Sequence, residues 1–421
     1  MEKTALSKKQ WLAALIYGCV YTSFGNLQYL VQHYYVIYQE ANGLTDGQMG
    51  KILTYIGIAA TLAYFINGFI TDMVKPRTLL ILTLSLAVVG GVLLMLNLGY
   101  VASIVVFCMF ALLPLWSPMS KLFVSIANTE ESDRMFGLLD FFAAAASMLA
   151  GTVAGVIVAK SGSKMAVVGL CAFYTVINVI GLIATFVLTK DVDMDEKEKS
   201  SEDGFSLKNL ILLFRDPDQW LLWLGIALGY TGYIGVSYIA PMLADVYGMS
   251  TSTVTFIETY VVDAIGLIAP LISGRLAAKM GAVRSYFVWL GFYVASMVLV
   301  LVLPWQASLS IVAILALVLV TFSVKGRSAI SNSVLNDAKT PLYLFGTSVS
   351  IQAVFMSIPD TFVYDLAGKW LDAYGNDGYR YIFYLSLAFA LAGLVCNIIL
   401  DRRMKAGKDS EWFFKTHHKA E

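Results

Sequence analysis

The sequence predicts an all-α membrane protein of about twelve transmembrane helices, arranged in two pseudo-symmetric six-helix bundles with both termini cytoplasmic. Three observations predict it. Only 14% of the 421 residues are charged and 58% are hydrophobic, with a mean hydropathy of +0.72; soluble domains carry roughly a quarter charged residues. Apolar windows of about 20 residues recur along nearly the whole chain, each long enough to cross a ~30 Å hydrocarbon core as a helix. The second half of the chain also repeats motifs of the first.

The first window, Trp11–Tyr38, is too long and too rich in tyrosine for a cleaved leader, and no small-residue cleavage site follows it. Gly50–Ile70, Thr78–Leu98, Val101–Asn128, Phe136–Val158 and Met165–Leu188 complete the first six. The one long polar segment, DVDMDEKEKSSEDGFSLKN from Asp191 to Asn209, reads as a linker because it is charged and poor in apolar residues. Trp220–Val246, Thr253–Leu276, Tyr286–Leu303, Leu309–Val334, Phe345–Ala367 and Tyr381–Leu400 make the second six. The expected division is an N-terminal bundle over 1–188, a cytoplasmic linker over 189–217, a C-terminal bundle over 218–404 and a cytoplasmic tail over 405–421. Placing both termini in the cytoplasm puts about 21 of the 29 basic residues on the inner side, about five outside and about three within spans.

Other classes are set aside by composition. Net charge is zero and no basic stripe with interleaved aromatics occurs, so nucleic acid is not an expected partner. Cys19, Cys108, Cys171 and Cys396 are scattered through apolar windows without metal-ligand spacing, so neither a disulfide, a metal site nor a cofactor is expected. The expected partners are the lipid bilayer, a small-molecule substrate, and a proton or counter-anion, with the chain acting as a monomer.

The repeat is specific. YTSFGNLQY (Tyr21 to Tyr29) in the first span matches YTGYIGVSY (Tyr230 to Tyr238) in the seventh. GFITDMVKPR (Gly68 to Arg77) closes the second span and GRLAAKMGAVR (Gly274 to Arg284) the eighth. In SPMSKLFVSIAN (Ser117 to Asn128) and TFSVKGRSAISN (Thr321 to Asn332), the pairs Ser117/Thr321, Lys121/Lys325, Ile126/Ile330 and Asn128/Asn332 align without a gap. Internal duplication of this kind marks many secondary transporters, whose substrate site lies between the halves.

On these residues the chain resembles the major facilitator superfamily over essentially its whole length. The family's loop pattern is a Gly, an Asp four residues on, an adjoining Arg, a second Gly and a terminal basic residue. Gly68, Asp72 and Arg77 match in the first copy, where Met73 and Lys75 depart from it. Gly274, Lys279, Gly281 and Arg284 match in the second, where Ala278 replaces the acid. The resemblance implies a gating role for these loops, which Arg134 could join through the cluster of Glu130, Glu131 and Asp133; the alternative is a topogenic, positive-inside loop. The Arg of drug/proton antiporters in span four, their Gly-Pro-Gly-Gly bend and the sugar-porter Pro-Glu-Ser-Pro-Arg loop are absent. The general character is similar to bacterial organic-anion, organophosphate and sugar-acid permeases.

In the family, spans one, four, seven and ten line the central cavity, and helical phase tests which residues share a face there. Thr321, Lys325, Ser328 and Asn332 fall on one face of span ten, with Arg327 about 160° away. Ser117, Lys121, Ser125 and Asn128 form the equivalent stripe in span four. Two such ammonium groups flanked by hydroxyls and amides suit a carboxylate or phosphate; the alternative for Lys121 is snorkelling to the headgroups. Arg327 has no mate, since Phe123 holds its place, and is either a third anion ligand or a packing or gate residue. Tyr21, Gln28 and Gln32, along one side of span one with Tyr17, and Tyr230 with Ser237 in span seven add groups that stack and hydrogen-bond; an interhelical contact stripe is the alternative. His33 reads as interfacial packing. Among intramembrane acids, Asp263, Glu258 and Asp360 are candidates for proton coupling or ion pairing, whereas Asp140 and Asp365 lie near helix ends.

The expectation is a secondary transporter, not an enzyme, that moves a small organic anion by alternating access with proton symport or anion exchange. No ATP-binding Gly-rich loop is present, so a gradient supplies the energy. The rivals are a proton-coupled carrier of a neutral sugar or nucleoside, and a membrane receptor built on a transporter fold.

Overall fold

The computed structural model describes residues 7–97, 99–126, 129–188, 207–331 and 333–417. The described chain is helical, in the order α1 (Lys8–Gln28), α2 (Leu30–His33), α3 (Tyr35–Asn42), α4 (Asp46–Met73), α5 (Pro76–Met95), α6 (Tyr100–Leu112), α7 (Trp116–Ile126), α8 (Thr129–Leu188), α9 (Leu207–Arg215), α10 (Pro217–Ser237), α11 (Ile239–Asp245) and α12 (Thr251–Ile257). A π-helical turn, Glu258–Val262, leads into α13 (Asp263–Met280), followed by α14 (Ala282–Val302), α15 (Ser310–Ser328), α16 (Ser333–Asp337), α17 (Leu342–Ser357), α18 (Val363–Tyr374), α19 (Gly378–Lys405) and α20 (Ser410–His417). Six helical segments among the described residues are long and apolar enough to cross a membrane: Arg77–Met95, Phe141–Leu188, Pro217–Asp245, Ala282–Val302, Ser310–Ser328 and Thr347–Lys405. Two of these reverse within themselves. Gly162 (φ 77°) interrupts α8, and Gly375 (φ 54°) separates α18 from α19, each in a conformation that only glycine adopts without strain.

Several expected spans are broken, for identifiable reasons. The fourth divides into α6 and α7 because Leu113 is extended (φ −82°, ψ 122°) before Pro114, which has no N–H to continue a helix. The eleventh divides at Pro359, where a 3₁₀ turn over Pro359–Thr361 links α17 to α18. The first and seventh bend at the same repeat position. Tyr29 (φ −108°, ψ 26°) ends α1, and its match Tyr238 (φ −94°, ψ 0°) ends α10.

The chain divides into two compact units, residues 1–197 with 250–263, and residues 198–249 with 264–421. The unit boundary therefore falls inside the eighth span, just beyond the π turn. In the first unit α8 packs on α1, α3 and α5 around fully buried Tyr17, Phe107, Phe110, Phe123 and Tyr174. Gly18 lets α1 approach α8 closely, since a Cβ there would lie 2.7 Å from the Leu139 carbonyl oxygen. Polar side chains cross-link these helices where no water competes: the Tyr17 and Thr185 hydroxyls meet at 2.8 Å, and Asn26 Nδ2 donates to the Tyr174 hydroxyl at 3.0 Å.

In the second unit α10 packs on α17 and α19, and α14 on α15 and α19. The N-terminus of α10 is anchored by a buried polar network. Asp216 caps it through the Asp218 N–H (2.9 Å). Gln219 Nε2 donates to Thr340 Oγ1 (2.8 Å) and Ser410 Oγ (3.2 Å), and Gln219 Oε1 accepts from Ser348 Oγ (2.6 Å). Arg403 pairs with buried Asp218. The network fastens the terminal helix α20 to the bundle.

Candidate functional site

The second unit connects two of the charged candidates, Lys325 and Asp360. Lys325, on α15, is half-buried with its Nζ 5.6 Å from the centroid of the Tyr233 ring, within range of a cation–π attraction. Tyr233 lies one turn along α10 from Tyr230, and their rings stand 5.3 Å apart at 37°. The Tyr230 hydroxyl in turn lies beside the carboxylate of Asp360, in the 3₁₀ turn after α17. Asp360 Oδ1 is shielded from solvent and accepts no hydrogen bond from a described residue. A cation, two phenol rings and a carboxylate thus form one connected row. Among the described residues no carboxylate lies within 4 Å of Lys325.

Arg327 faces elsewhere. It is 2% exposed, and its Nη1 donates to the Tyr286 hydroxyl of α14 at 3.2 Å, while its guanidinium carbon lies 5.6 Å from that ring's centroid. It presses on α10 where Gly229 leaves room, for a Cβ at 229 would lie 2.2 Å from Arg327 Nη1. Its Nε has no partner among the described residues. The repeat mate Phe123 is equally buried, packing edge-on against Tyr17 at 6.1 Å. Both halves therefore turn this position into the core, and the second half places a cation there.

In the first unit, Tyr21 is 40% exposed and its ring lies 5.5 Å from Trp116, at the start of α7. Gln28 and Gln32 are half-buried on α1 and α2. His33, exposed, holds Asn26 Oδ1 at 2.6 Å through Nδ1, at the side of the Tyr34–Tyr174 hydroxyl pair. The backbones of Ser117 and Lys121 lie in α7, but their side chains fall outside the described residues, as do those of Asp263, Gly68, Asp72, Arg134 and Asp140; Asn332 and Asn128 lie outside altogether. Glu258 opens the π turn, half-buried.

The loop residues of the second copy form a helix anchor. Gly281, at φ +88°, caps α14, and Asp337 of α16 accepts the Val283 N–H at 2.9 Å. That carboxylate meets the positive end of α14. Ala278 leaves the second copy without an acid in the loop; α16 supplies it. Arg284 bonds Asp401 at 3.0 Å, and Lys405 shares the same carboxylate. Gly274 lies within α13 facing open space, and Arg77 is half-buried at the start of α5. Tyr233 and Tyr286 were not among the sequence candidates. Tyr233 carries a local signal, standing three residues after Tyr230; Tyr286 meets Arg327 only through tertiary packing.

Apolar helices that carry charges in their interior, within a duplicated six-plus-six sequence, define a multi-pass membrane transporter. A family model described as Major Facilitator Superfamily matches residues 11–360. The chain belongs to that superfamily. It is 24% identical over 419 residues to the inner membrane protein YihN of Escherichia coli K12, covering 96% of this chain and 98% of that protein. Among solved structures, a mutant of the nucleoside transporter NupG superposes with a TM-score of 0.74 at 12% identity, covering 93% of this chain and 98% of that one. A bacterial homologue of the lysosomal transporter Spinster, inward-facing and unoccupied, gives 0.70 at 13% identity over 94% and 98%.

Proposed function

We propose that this superfamily member carries a small organic anion (a carboxylate, sugar acid or organophosphate) across the cytoplasmic, or inner, membrane by alternating access, as a monomer. The observation that carries the proposal is Lys325, an ammonium set in an apolar helix against the Tyr233 ring with no described carboxylate within 4 Å. An ammonium costs about 2.5–3.5 kcal/mol at mid-span on insertion scales and less toward a helix end, where Lys325 sits in the last turn of α15; a transient anionic partner gives that cost a use. Lys121, its repeat mate, is proposed as the matching ligand, with Ser117 and Asn332 beside the lysines and Tyr21, Gln28, Gln32 and Tyr230 as walls. The domain division is proposed as bundles over 1–188 and 218–404, a cytoplasmic linker over 189–217 and a cytoplasmic tail over 405–421. Coupling is proposed as proton symport through Asp263, Glu258 or Asp360, or as exchange for a second anion.

The rival is a proton-coupled carrier of a neutral sugar or nucleoside. It draws on Asp360, whose free oxygen would accept a substrate hydroxyl as readily in a neutral solute. Reconstituted vesicles loaded with purified protein separate the two. Uptake of carboxylates or organophosphates that falls at least tenfold in Lys325→Gln supports the anion. Uptake of neutral sugars unaffected by that change sinks it. Collapse of a pH gradient abolishes uptake under symport; preloaded anion stimulates it under exchange.

A further inference from the structure

Helix α9 falls in the stretch that the sequence assigns to the polar linker, yet LKNLILLFR (Leu207 to Arg215) is mostly apolar. Leu213 is fully buried where α9 packs on the second unit, against α10 and α17. Ile211 and Phe214, three residues apart and so on one face, stand 49% and 39% exposed. Turned to water, that face would forfeit what the burial of apolar surface normally gains.

The exposed face runs on into α10. Trp220 Nε1 donates to the Phe214 carbonyl oxygen at 2.8 Å, and the two rings stand 5.3 Å apart. Trp220 and Leu224, one turn further along α10, are also exposed. They belong to a segment long and apolar enough to cross a membrane, so this outward stripe faces lipid. Trp220 opens the stripe in the first turns of α10, at the depth where tryptophans gather along the membrane boundary. α9 leaves α10 at that depth, and Ile211 and Phe214 meet the same lipid at its surface.

The charges beside this face are positive. Gln219 with Thr340 and Ser410, Arg403 with Asp218, and Asp337 with the Val283 N–H gather α9, α20, the end of α19 and the α13–α14 turn at one end of the second unit. The described carboxylates at that end, Asp216, Asp218, Asp337, Asp401, Asp409 and Glu411, are all buried or half-buried. The exposed charges are cations. Arg215, Lys279, Arg402 and Lys408 are exposed and have no described carboxylate within 4 Å. Arg215 stands in the last turn of α9, next to Phe214. A short helix with aliphatic and aromatic residues on one side and free cations at its edge suits an anionic bilayer surface.

We propose that α9 is an anchor for anionic phospholipid, with Ile211 and Phe214 entering the acyl boundary and Arg215 pairing with the headgroup phosphates. The proposal goes beyond the transport reading and does not depend on which solute is carried. It converts 207–215 from a stretch of linker into a membrane-seated part of the second unit, fixed beside the first turn of α10.

The test uses the full-length chain reconstituted in vesicles of phosphatidylcholine, alone or mixed with phosphatidylglycerol. A spin label is attached at Ile211→Cys in a background where Cys19, Cys108, Cys171 and Cys396 are replaced by Ala. Its depth is read from its relative accessibility to oxygen and to a water-soluble nickel chelate. Thermal midpoints matching the parent show that the variants fold. The expected result is a lipid-exposed label in the mixed vesicles that shifts toward water in phosphatidylcholine alone. High salt, which screens headgroup charge, should cause the same shift in mixed vesicles. Arg215→Gln should cause it too, and Arg215→Lys should not. A label equally lipid-exposed in both vesicles, and moved by neither salt nor Arg215→Gln, overturns anionic recognition. A water-exposed label in every vesicle overturns the anchor altogether. A label out of reach of both reagents means that protein covers this face, which overturns it as well; crosslinking between copies at Ile211→Cys would then identify the cover as a second copy of the chain.

Discussion

One residue, Gly326, separates Lys325 from Arg327, and the turn of α15 sends them to different surroundings. Lys325 reaches a half-buried aromatic wall, while Arg327 is sealed between Tyr286 and Gly229. Charge is therefore expected to matter at 325 for ligand and at 327 for the bundle. Lys325→Gln should raise the apparent dissociation constant for an anionic solute ten- to a hundredfold, about the 1.5–3 kcal/mol of a charge-assisted hydrogen bond, with the thermal midpoint little changed. Lys325→Arg should recover part of the affinity in the same assay. Asp216 offers a prediction in pH. Burial pushes its carboxyl up to about 6, against the partial relief given by the Ser410 hydroxyl and the Asp218 N–H. A raised value in the folded state means that the contribution to stability is fully present below the unfolded value of about 3.9 and is lost as pH rises through about 6. Asp216→Asn, which still caps α10, should thus stabilise the protein at pH 7 by up to about 3 kcal/mol, with the advantage fading by pH 4. Thermal unfolding in detergent across that range reads the difference directly.

At the level of single elements, α10 is the helix on which the second unit turns. Its N-terminus is held by the Gln219 network, its middle yields to Arg327 at Gly229, and its next turn carries the two tyrosines. Gly229→Ala should lower stability by about 1–3 kcal/mol through overpacking against Arg327 and Tyr286. The double change Gly229→Ala with Arg327→Ala should cost less than the sum of the two, because they share one contact; thermal midpoints of the four proteins close the cycle. The capping of α14 by Asp337 is a second such dependence. Asp337→Ala should destabilise by about 1 kcal/mol, the typical value for a lost cap, and should be relieved in part by Asn.

For the whole molecule, the repeat makes a symmetric demand. Lys121→Gln should impair uptake about as strongly as Lys325→Gln in reconstituted vesicles; a Lys121 change without effect would leave the second half alone in binding. The all-helical architecture and the duplication were legible in the sequence because lipid imposes a long, simple hydrophobic period. Lys325, Tyr230 and Asp360 were legible as polar groups out of place in that period. Their connection was not, since it runs through Tyr233, which reads as one more aromatic in an apolar helix. Arg327 was legible as a mismatch with Phe123, but its partner Tyr286 is 41 residues away, and periodicity carries no information on pairing at that distance. The polar network at Gln219 escaped for the same reason: its members come from four separate segments. The breaks at Pro114 and Pro359 could have been read from proline alone.

The bends at Tyr29 and Tyr238 recur at one aligned position of the two halves. Each ends the first long helix of its half at the same aligned tyrosine, and each of those helices is 21 residues long. Their neighbourhoods differ: the Tyr238 hydroxyl reaches the Tyr364 carbonyl at 3.5 Å, whereas the ring of Tyr29 lies against His33 at 6.2 Å. A deformation found at two aligned positions in unlike settings does not depend on one particular set of neighbours, so it follows each copy's own chain more than the contacts around it.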